Sequence, residues 1–78
     1  MKHVEIYTRS GCGFCDHAKT HLNHHGVSYV EYNVYEQPGA FEQMSQRTVN
    51  RTYPQVFIDN RNIGGFVELV KLEINELL

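Results

Sequence analysis

Short stretches of periodic apolar residues divide this chain into seven predicted elements. Val4 and Ile6 alternate with polar or amphipathic neighbours, which is typical of a strand. Cys15, Ala18 and Leu22 follow the spacing of one helix face. Applied along the chain, these periods predict, in order, a strand over residues 3–8, a helix over 13–25, a strand over 27–34, a helix over 40–50, strands over 55–59 and 62–64, and a helix over 66–78.

The order of these elements, β-α-β-α-β-β-α, predicts an α/β fold. A strand, a crossover helix and a second strand favour a parallel pair at the start of the chain. The short turn at Asn60-Arg61 favours an antiparallel hairpin near its end. We therefore expect one mixed four-stranded sheet flanked by three helices on its two faces, in a single domain over residues 1–78.

Composition narrows the class of protein without identifying it. The 78 residues are 41% hydrophobic and 21% charged, with a formal net charge of −2. That balance gives no electrostatic reason to expect nucleic acid or an anionic membrane as a partner. No stretch approaches the roughly 18 uninterrupted apolar residues of a membrane span, and the first residues alternate too regularly for a signal peptide. We expect a soluble cytoplasmic protein.

The chain has two cysteines, Cys12 and Cys15, separated by two residues. A disulfide that closes so small a loop removes little entropy from the unfolded chain, so stability is a poor explanation for the pair. A closed zinc site needs four ligands, and no second cysteine pair is present. Asp16 follows Cys15 where a c-type haem site requires His. The spacing therefore favours a redox-active dithiol, with no metal bound.

The two sulfurs are predicted to have different roles. Cys12 falls where the first strand gives way to a helix, and the free N–H groups and dipole at a helix N-terminus stabilise a thiolate. Arg9 adds positive charge nearby. Cys15 lies one turn later on the apolar face, with Ala18 and Leu22. We expect Cys12 to be the exposed nucleophile and Cys15 the buried resolving thiol that attacks the mixed disulfide.

Two further motifs precede the third strand and the last helix. Thr52-Tyr53-Pro54 places a proline at the first position of a strand. Combined with the dithiol, it predicts a cis Tyr53–Pro54 bond that faces the cysteines and presents the Tyr53 backbone to a peptide-like substrate. Gly64-Gly65 lets the backbone approach a ligand closely, and the helix that follows offers N–H groups to a carboxylate.

Taken together, these motifs resemble those of the glutaredoxin family. The resemblance covers essentially the whole chain and rests on Tyr7-Thr8-Arg9, Cys12-Gly-Phe-Cys15, Arg51-Thr52-Tyr53-Pro54-Gln55-Val56-Phe57-Ile58 and Ile63-Gly64-Gly65. It implies the thioredoxin-like fold and an enzyme that reduces protein disulfides and glutathione mixed disulfides. It further implies glutathione as co-substrate, no tightly bound cofactor, a monomer, and disulfide-containing protein substrates such as ribonucleotide reductase.

The resemblance also implies a set of glutathione-contacting residues. Arg9 stands where the family often has a Lys that contacts the glycine carboxylate of glutathione, and Arg51 would assist it. Tyr53 would pair through its backbone with the cysteinyl part, and Phe14 would pack beside the ligand. The full set is Arg9, Phe14, Arg51, Thr52, Tyr53, Pro54, Gly65, Phe66 and Val67.

Three departures from the family pattern leave alternatives open. Gly13 replaces the usual Pro, a feature shared with the monothiol glutaredoxins that bind a [2Fe–2S] cluster between two subunits. Val67 stands where an Asp often holds the glutathione amine, and Glu68 comes one residue later. The Gly65-Phe66 pair resembles the residues at this point in redoxins that take electrons from thioredoxin reductase. Tyr53 replaces the family's usual Val, and its larger side chain would narrow the groove in which glutathione is expected to lie.

Histidines are concentrated on the first predicted helix. On a helical projection they lie opposite the apolar face, so we expect them to be solvated, with adventitious metal binding as the lesser alternative. They are His17, His21, His24 and His25.

Overall fold

The computed structural model describes residues 2–78 of the chain. Its elements follow the predicted order, and a short 3₁₀ turn is added near the end. They are β1 (Val4–Thr8), α1 (Gly13–His24), β2 (Val30–Asn33), α2 (Ala40–Arg47), β3 (Gln55–Ile58), β4 (Arg61–Gly64), α3 (Phe66–Lys71) and the 3₁₀ turn Ile74–Glu76.

The four strands form one mixed sheet in the order β2-β1-β3-β4. β1 pairs parallel with β2 and antiparallel with β3, which in turn pairs antiparallel with β4. This confirms the mixed four-stranded sheet of the thioredoxin-like fold. The β3–β4 turn lies at Asp59-Asn60, one residue earlier than predicted, because both residues adopt the positive φ angles that a two-residue hairpin requires.

The core lies on both faces of the sheet, as predicted. On one face α1 and α3 bury Ala18, Leu22 and Leu69 against strand residues such as Ile6. The smaller cluster on the other face joins α2 to the sheet through Tyr7, Met44 and Phe57. β1 is consequently buried along its whole length, since helices cover it from both sides.

Three element boundaries differ from the prediction by three residues or more. α2 ends at Arg47 instead of Asn50, because Thr48 adopts an extended conformation. β2 begins at Val30 instead of Val27, because the Val27 N–H donates to the Leu22 carbonyl and completes the end of α1. The last helix ends at Lys71 instead of continuing to Leu78. Leu72 adopts an extended conformation, after which the 3₁₀ turn brings Leu77 back into the core at 1% exposure.

A charged network connects α2 to the centre of the sheet. Glu5 is 6% exposed, and its Oε1 accepts a hydrogen bond from Arg47 Nη2 at 2.8 Å. Arg47 Nη1 and the Tyr32 hydroxyl both donate to Glu5 Oε2 at 3.1 Å. The guanidinium lies 4.0 Å from the centroid of the Phe57 ring. These bonds satisfy a carboxylate that would otherwise be costly to bury.

The network predicts a loss of stability at acid pH. Hydrogen bonds from Arg47 hold the pKa of Glu5 below its ordinary value, against the opposing effect of burial. A carboxyl whose folded pKa is lowered stabilises the fold above its unfolded pKa of about 4.3 and loses that contribution as pH falls through the folded pKa. We expect urea unfolding to show a steeper fall in stability between about pH 5 and pH 3 for the wild type than for Glu5→Gln. Equal slopes in the two proteins would contradict this assignment.

Candidate active site

The dithiol lies at the junction of the β1–α1 loop and α1. Cys12 is the N-cap residue, with extended backbone angles of φ −101° and ψ 110°, and its Sγ accepts the Cys15 N–H at 3.1 Å. Both thiols are unpaired, which corresponds to the reduced dithiol. The predicted start of the helix is therefore confirmed, and a negative Cys12 sulfur would face the positive end of α1.

The burial of the two sulfurs differs less than predicted. Cys15 is 1% exposed, as expected, but Cys12 is only 8% exposed, so the prediction of an exposed nucleophile is wrong. The Tyr53 main chain accounts for this, because its carbonyl oxygen lies 3.8 Å from Cys12 Sγ and accepts the thiol proton. The Tyr53 carbonyl oxygen therefore borders the Cys12 sulfur.

The surroundings of Cys15 raise the pKa of its thiol. Burial raises the pKa of Cys15, and contact with the Cys12 thiol raises it further. The Arg9 main-chain N–H and positive charge act in the opposite direction and only partly offset this effect. The neutral thiol form of Cys15 is therefore favoured.

The segment before β3 has the predicted conformation. The Tyr53–Pro54 peptide bond is cis, and Pro54 is buried. Thr52 is exposed, and Tyr53 is partly buried. The segment thus presents the Tyr53 main chain directly to the dithiol.

The two arginines of the predicted set lie in different environments. Arg9 is exposed, and its guanidinium carbon lies 5.8 Å from the centroid of the Tyr53 ring. Arg51 Nη1 donates to the carbonyl oxygens of Thr48 and Asn50 at 2.8 and 2.9 Å. The structure therefore places Arg9 at the Tyr53 edge of the site, whereas Arg51 braces its own loop.

The paired glycines bring the start of α3 against the cis-proline segment. A Cβ atom on Gly65 would lie 3.2 Å from the Pro54 carbonyl oxygen. Gly64 has φ of +113°, and a Cβ there would lie 2.8 Å from the Glu68 side chain. The close approach predicted for these glycines is thus an approach to Pro54 and Glu68 within the chain itself.

The Glu68 side chain accepts a hydrogen bond from one of the N–H groups at the start of α3 that were expected to bind a substrate carboxylate. Its Oε1 accepts the Gly65 N–H at 2.8 Å, and main-chain hydrogen bonds lower the pKa of its carboxyl group. Glu68 stands three residues after Gly65, where the Glu of a capping box stands, and only this half of the box forms because Gly65 has no side chain. A ligand that uses the Gly65 N–H must displace Glu68.

An aromatic patch joins the first turn of α1 to the first turn of α3. Phe14 is 61% exposed, and its ring centroid lies 5.8 Å from that of Phe66 and 6.2 Å from that of His17. Val67, the next residue of α3, is 53% exposed. The residues predicted to flank the ligand therefore present an apolar surface next to the cysteines.

Hydrogen-bonding residues behind the cis-proline segment were missed by sequence reasoning. Gln55 is 1% exposed, and its Nε2 donates to both the carbonyl and hydroxyl oxygens of Thr52. Asn62 and Asn50 donate in turn to Gln55 Oε1. Isolated amide residues give no sequence signal of such a network, because their partners come from other segments.

The prediction that the histidines of the first helix are solvated is confirmed for three of the four. His17, His24 and His25 are exposed, whereas His21 is half-buried. Within residues 2–78, no three His, Cys, Asp or Glu side chains are grouped in an arrangement suited to a metal ion. In the same range, no helix has the length and apolar character needed to cross a membrane.

Comparison with known proteins identifies the family. The Glutaredoxin family model matches residues 4–63. Glutaredoxin 3 of Escherichia coli K12 is 40% identical over 73 residues, which covers 94% of this chain and 88% of the relative. The chain belongs to the glutaredoxin family. As a glutaredoxin with both cysteines of the active-site motif, it is a thiol–disulfide oxidoreductase.

Solved structures agree with the fold of this glutaredoxin. Glutaredoxin 1 from Francisella tularensis superposes with a TM-score of 0.72 at 36% identity, covering 91% of each chain. A buckwheat glutaredoxin–glutathione complex superposes with a TM-score of 0.79 at 23% identity, covering 90% of this chain and 66% of that one. The thioredoxin-like fold that the glutaredoxin resemblance implied is confirmed.

Proposed function

We propose that this glutaredoxin reduces protein disulfides and glutathione mixed disulfides with glutathione as its reductant. The Cys12 thiolate attacks a substrate sulfur and forms a mixed disulfide. The sulfur that leaves takes up a proton and is released as the first substrate thiol. Cys15 then loses its proton, attacks the Cys12 sulfur and releases the second substrate thiol. Two glutathione molecules reduce the resulting Cys12–Cys15 disulfide and leave as glutathione disulfide.

The observation that carries this proposal is the asymmetry of the two sulfurs. Cys12 Sγ accepts the Cys15 N–H at the N-terminus of α1, so negative charge that develops on this sulfur faces the positive end of the helix. Cys15 is more deeply buried, and its raised pKa keeps it protonated. One sulfur is therefore prepared to attack first, and the other to act second.

The surrounding residues support a peptide-like thiol as the substrate. The Tyr53 main chain borders Cys12, where it would pair with the backbone on either side of a substrate cysteine. Arg9 would attract a carboxylate, and Phe14 and Phe66 would flank the ligand. The buckwheat protein of the same fold was solved as a complex with glutathione. Thr52, Pro54, Gly65 and Val67 would complete this surface, with Arg51 acting through the loop it braces.

Two features of α3 favour a second candidate, in which thioredoxin reductase supplies the electrons. Val67 offers no acceptor for the amine of glutathione, and Glu68 already occupies the Gly65 N–H. Both reduce the polar contacts available to free glutathione. A protein reductant that contacts the exposed apolar patch does not depend on them.

A side-by-side turnover assay tests the proposal. We expect turnover of a glutathionylated peptide with glutathione and glutathione reductase, and little with thioredoxin reductase. Val67→Asp is expected to lower the KM for glutathione about fivefold, the effect of one added hydrogen bond. Val70→Asp, at an exposed position of the same helix, is the matched control and leaves that KM unchanged. Turnover with thioredoxin reductase alone would overturn the proposal in favour of the second candidate.

The remaining functional assignments are parts of the same proposal. Ribonucleotide reductase is a candidate protein substrate, and the cycle is expected to run in a monomer in the reducing cytoplasm. The alternative of a [2Fe–2S] dimer would use Cys12 of each chain, because Cys15 is the more deeply buried of the two thiols. That alternative predicts visible absorption and a dimer after anaerobic reconstitution with glutathione, whereas the proposed enzyme remains colourless and monomeric.

A further inference from the structure

A network of side-chain amides and hydroxyls lies behind the loop that contacts Cys12. This loop, residues 48–54, connects α2 to β3 without regular secondary structure. Each member of the network bonds to at least one other. We call it the amide network, and its side chains are Thr48, Asn50, Thr52, Gln55 and Asn62.

One main-chain carbonyl sets the orientation of the Asn62 side chain. Asn62 Nδ2 donates to the Val56 carbonyl oxygen at 3.2 Å, and this partner can only accept. Asn62 Oδ1 must then face the other way, where it accepts from Thr48 Oγ1 at 2.9 Å and Asn50 Nδ2 at 3.2 Å. The direction of every bond that Asn62 makes is thereby fixed by β3.

Asn62 in turn fixes the orientation of Gln55. Its Nδ2 also donates to Gln55 Oε1 at 3.1 Å, so the Gln55 amide group must present its Nε2 on the opposite side. There Nε2 donates to the Thr52 carbonyl oxygen at 2.9 Å and to the Thr52 hydroxyl at 3.0 Å. The Thr52 carbonyl belongs to the peptide group that joins Thr52 to Tyr53, so this bond holds the main chain on the N-terminal side of Tyr53.

We infer that Asn62 is a positioning residue for substrate binding. Acting through Gln55, it keeps the Tyr53 carbonyl over Cys12 Sγ, 3.8 Å away. Asn62 lies on β4, two residues before Gly64, so its side chain links the loop over residues 48–54 to the strand that leads into Gly64-Gly65. The inference rests on the proposed function, because it concerns the surface on which the substrate backbone would pair.

The test compares Asn62→Ala with Arg61→Ala. Arg61 is the neighbouring exposed residue of β4, and its side chain makes no hydrogen bond or ion pair within residues 2–78. We expect Asn62→Ala to raise the KM for a glutathionylated peptide about fivefold. The kcat is expected to change less than about twofold, since both cysteines and the Cys15 N–H that donates to Cys12 Sγ stay in place. Arg61→Ala is expected to retain both wild-type constants.

A double mutant separates positioning from general stability. Gln55→Met removes the relay while keeping the length of the side chain. In that background Asn62→Ala is expected to add little to KM, because both changes break the same chain of bonds. Independent, additive effects, or an Asn62→Ala enzyme with wild-type KM and only a lower Tm, would overturn the inference.

Alkylation of Cys12 supplies a readout that needs no substrate. If Asn62 keeps the Tyr53 carbonyl over the sulfur, Asn62→Ala exposes it, and iodoacetamide modifies Cys12 about fivefold faster than in the wild type or in Arg61→Ala. A wild-type alkylation rate in Asn62→Ala overturns the inference even if glutathione proves not to be the reductant. Failure of wild-type turnover with glutathione, combined with faster alkylation of the variant, would overturn the proposed function alone.

Discussion

Replacing Cys12 with Ser is expected to abolish turnover, with kcat/KM falling on the order of a thousandfold or more. A serine oxygen cannot form the mixed disulfide with the substrate on which the first step depends. Cys15 cannot take over the attack, because it is 1% exposed and burial raises its pKa. The assay is coupled turnover of a glutathionylated peptide at several glutathione concentrations.

Cys15→Ser is the matched control for that result. It leaves the attacking sulfur and its N–H donor in place, since the bond to Cys12 Sγ comes from the main chain of residue 15. We expect this variant to turn over glutathione mixed disulfides, which glutathione itself resolves, and to stall on protein disulfides as a stable mixed disulfide. Equal activity of the two single variants on the glutathionylated peptide would contradict the assignment of roles.

Replacing Arg47 with Met is expected to lower the free energy of unfolding by about 3 kcal/mol. The substitution leaves the Glu5 carboxylate buried without the two hydrogen bonds from Arg47 and without the positive charge that balances it. The Phe57 ring also loses the guanidinium packed over it. Urea unfolding at neutral pH measures the change, and Arg61→Met, at an exposed site, is expected to change stability by less than about 0.5 kcal/mol.

The double variant Glu5→Gln/Arg47→Met checks the cause of that loss. Removing both charges avoids an uncompensated buried carboxylate, so the double variant should be more stable than Arg47→Met alone. If the two substitutions are instead simply additive, the stabilisation does not come from the ion pair.

The sequence predicted the sheet well because its strands carry local signals. Alternation around Ile6, the apolar run of β3 and the crossover length between β1 and β2 depend only on neighbouring residues. The end of α3 was missed because Val70, Ile74 and Leu77 continue a helical period, and no glycine or proline interrupts it. The helix ends at Lys71 because an extended segment then carries Leu77 into the core, and this packing depends on tertiary contacts.

In the candidate site, too, local features were predictable from the sequence and long-range contacts were not. The place of Cys12 at a helix start follows from local sequence, but its burial depends on the Tyr53 carbonyl, 41 residues away along the chain. The role of Asn62 depends on partners 6, 7, 12 and 14 residues away. Interactions of this kind require the fold before they can be recognised.

The central claim is that Cys12 attacks first and Cys15 acts second, and trapping the intermediate tests it most directly. Cys15→Ser is mixed with a glutathionylated peptide in the absence of free glutathione, and the products are digested and mapped by mass spectrometry. We predict one glutathionyl group per chain, bound to Cys12, and no comparable adduct on Cys15 when Cys12→Ser is treated in the same way. An adduct that forms on Cys15 at a similar rate in Cys12→Ser would contradict the account.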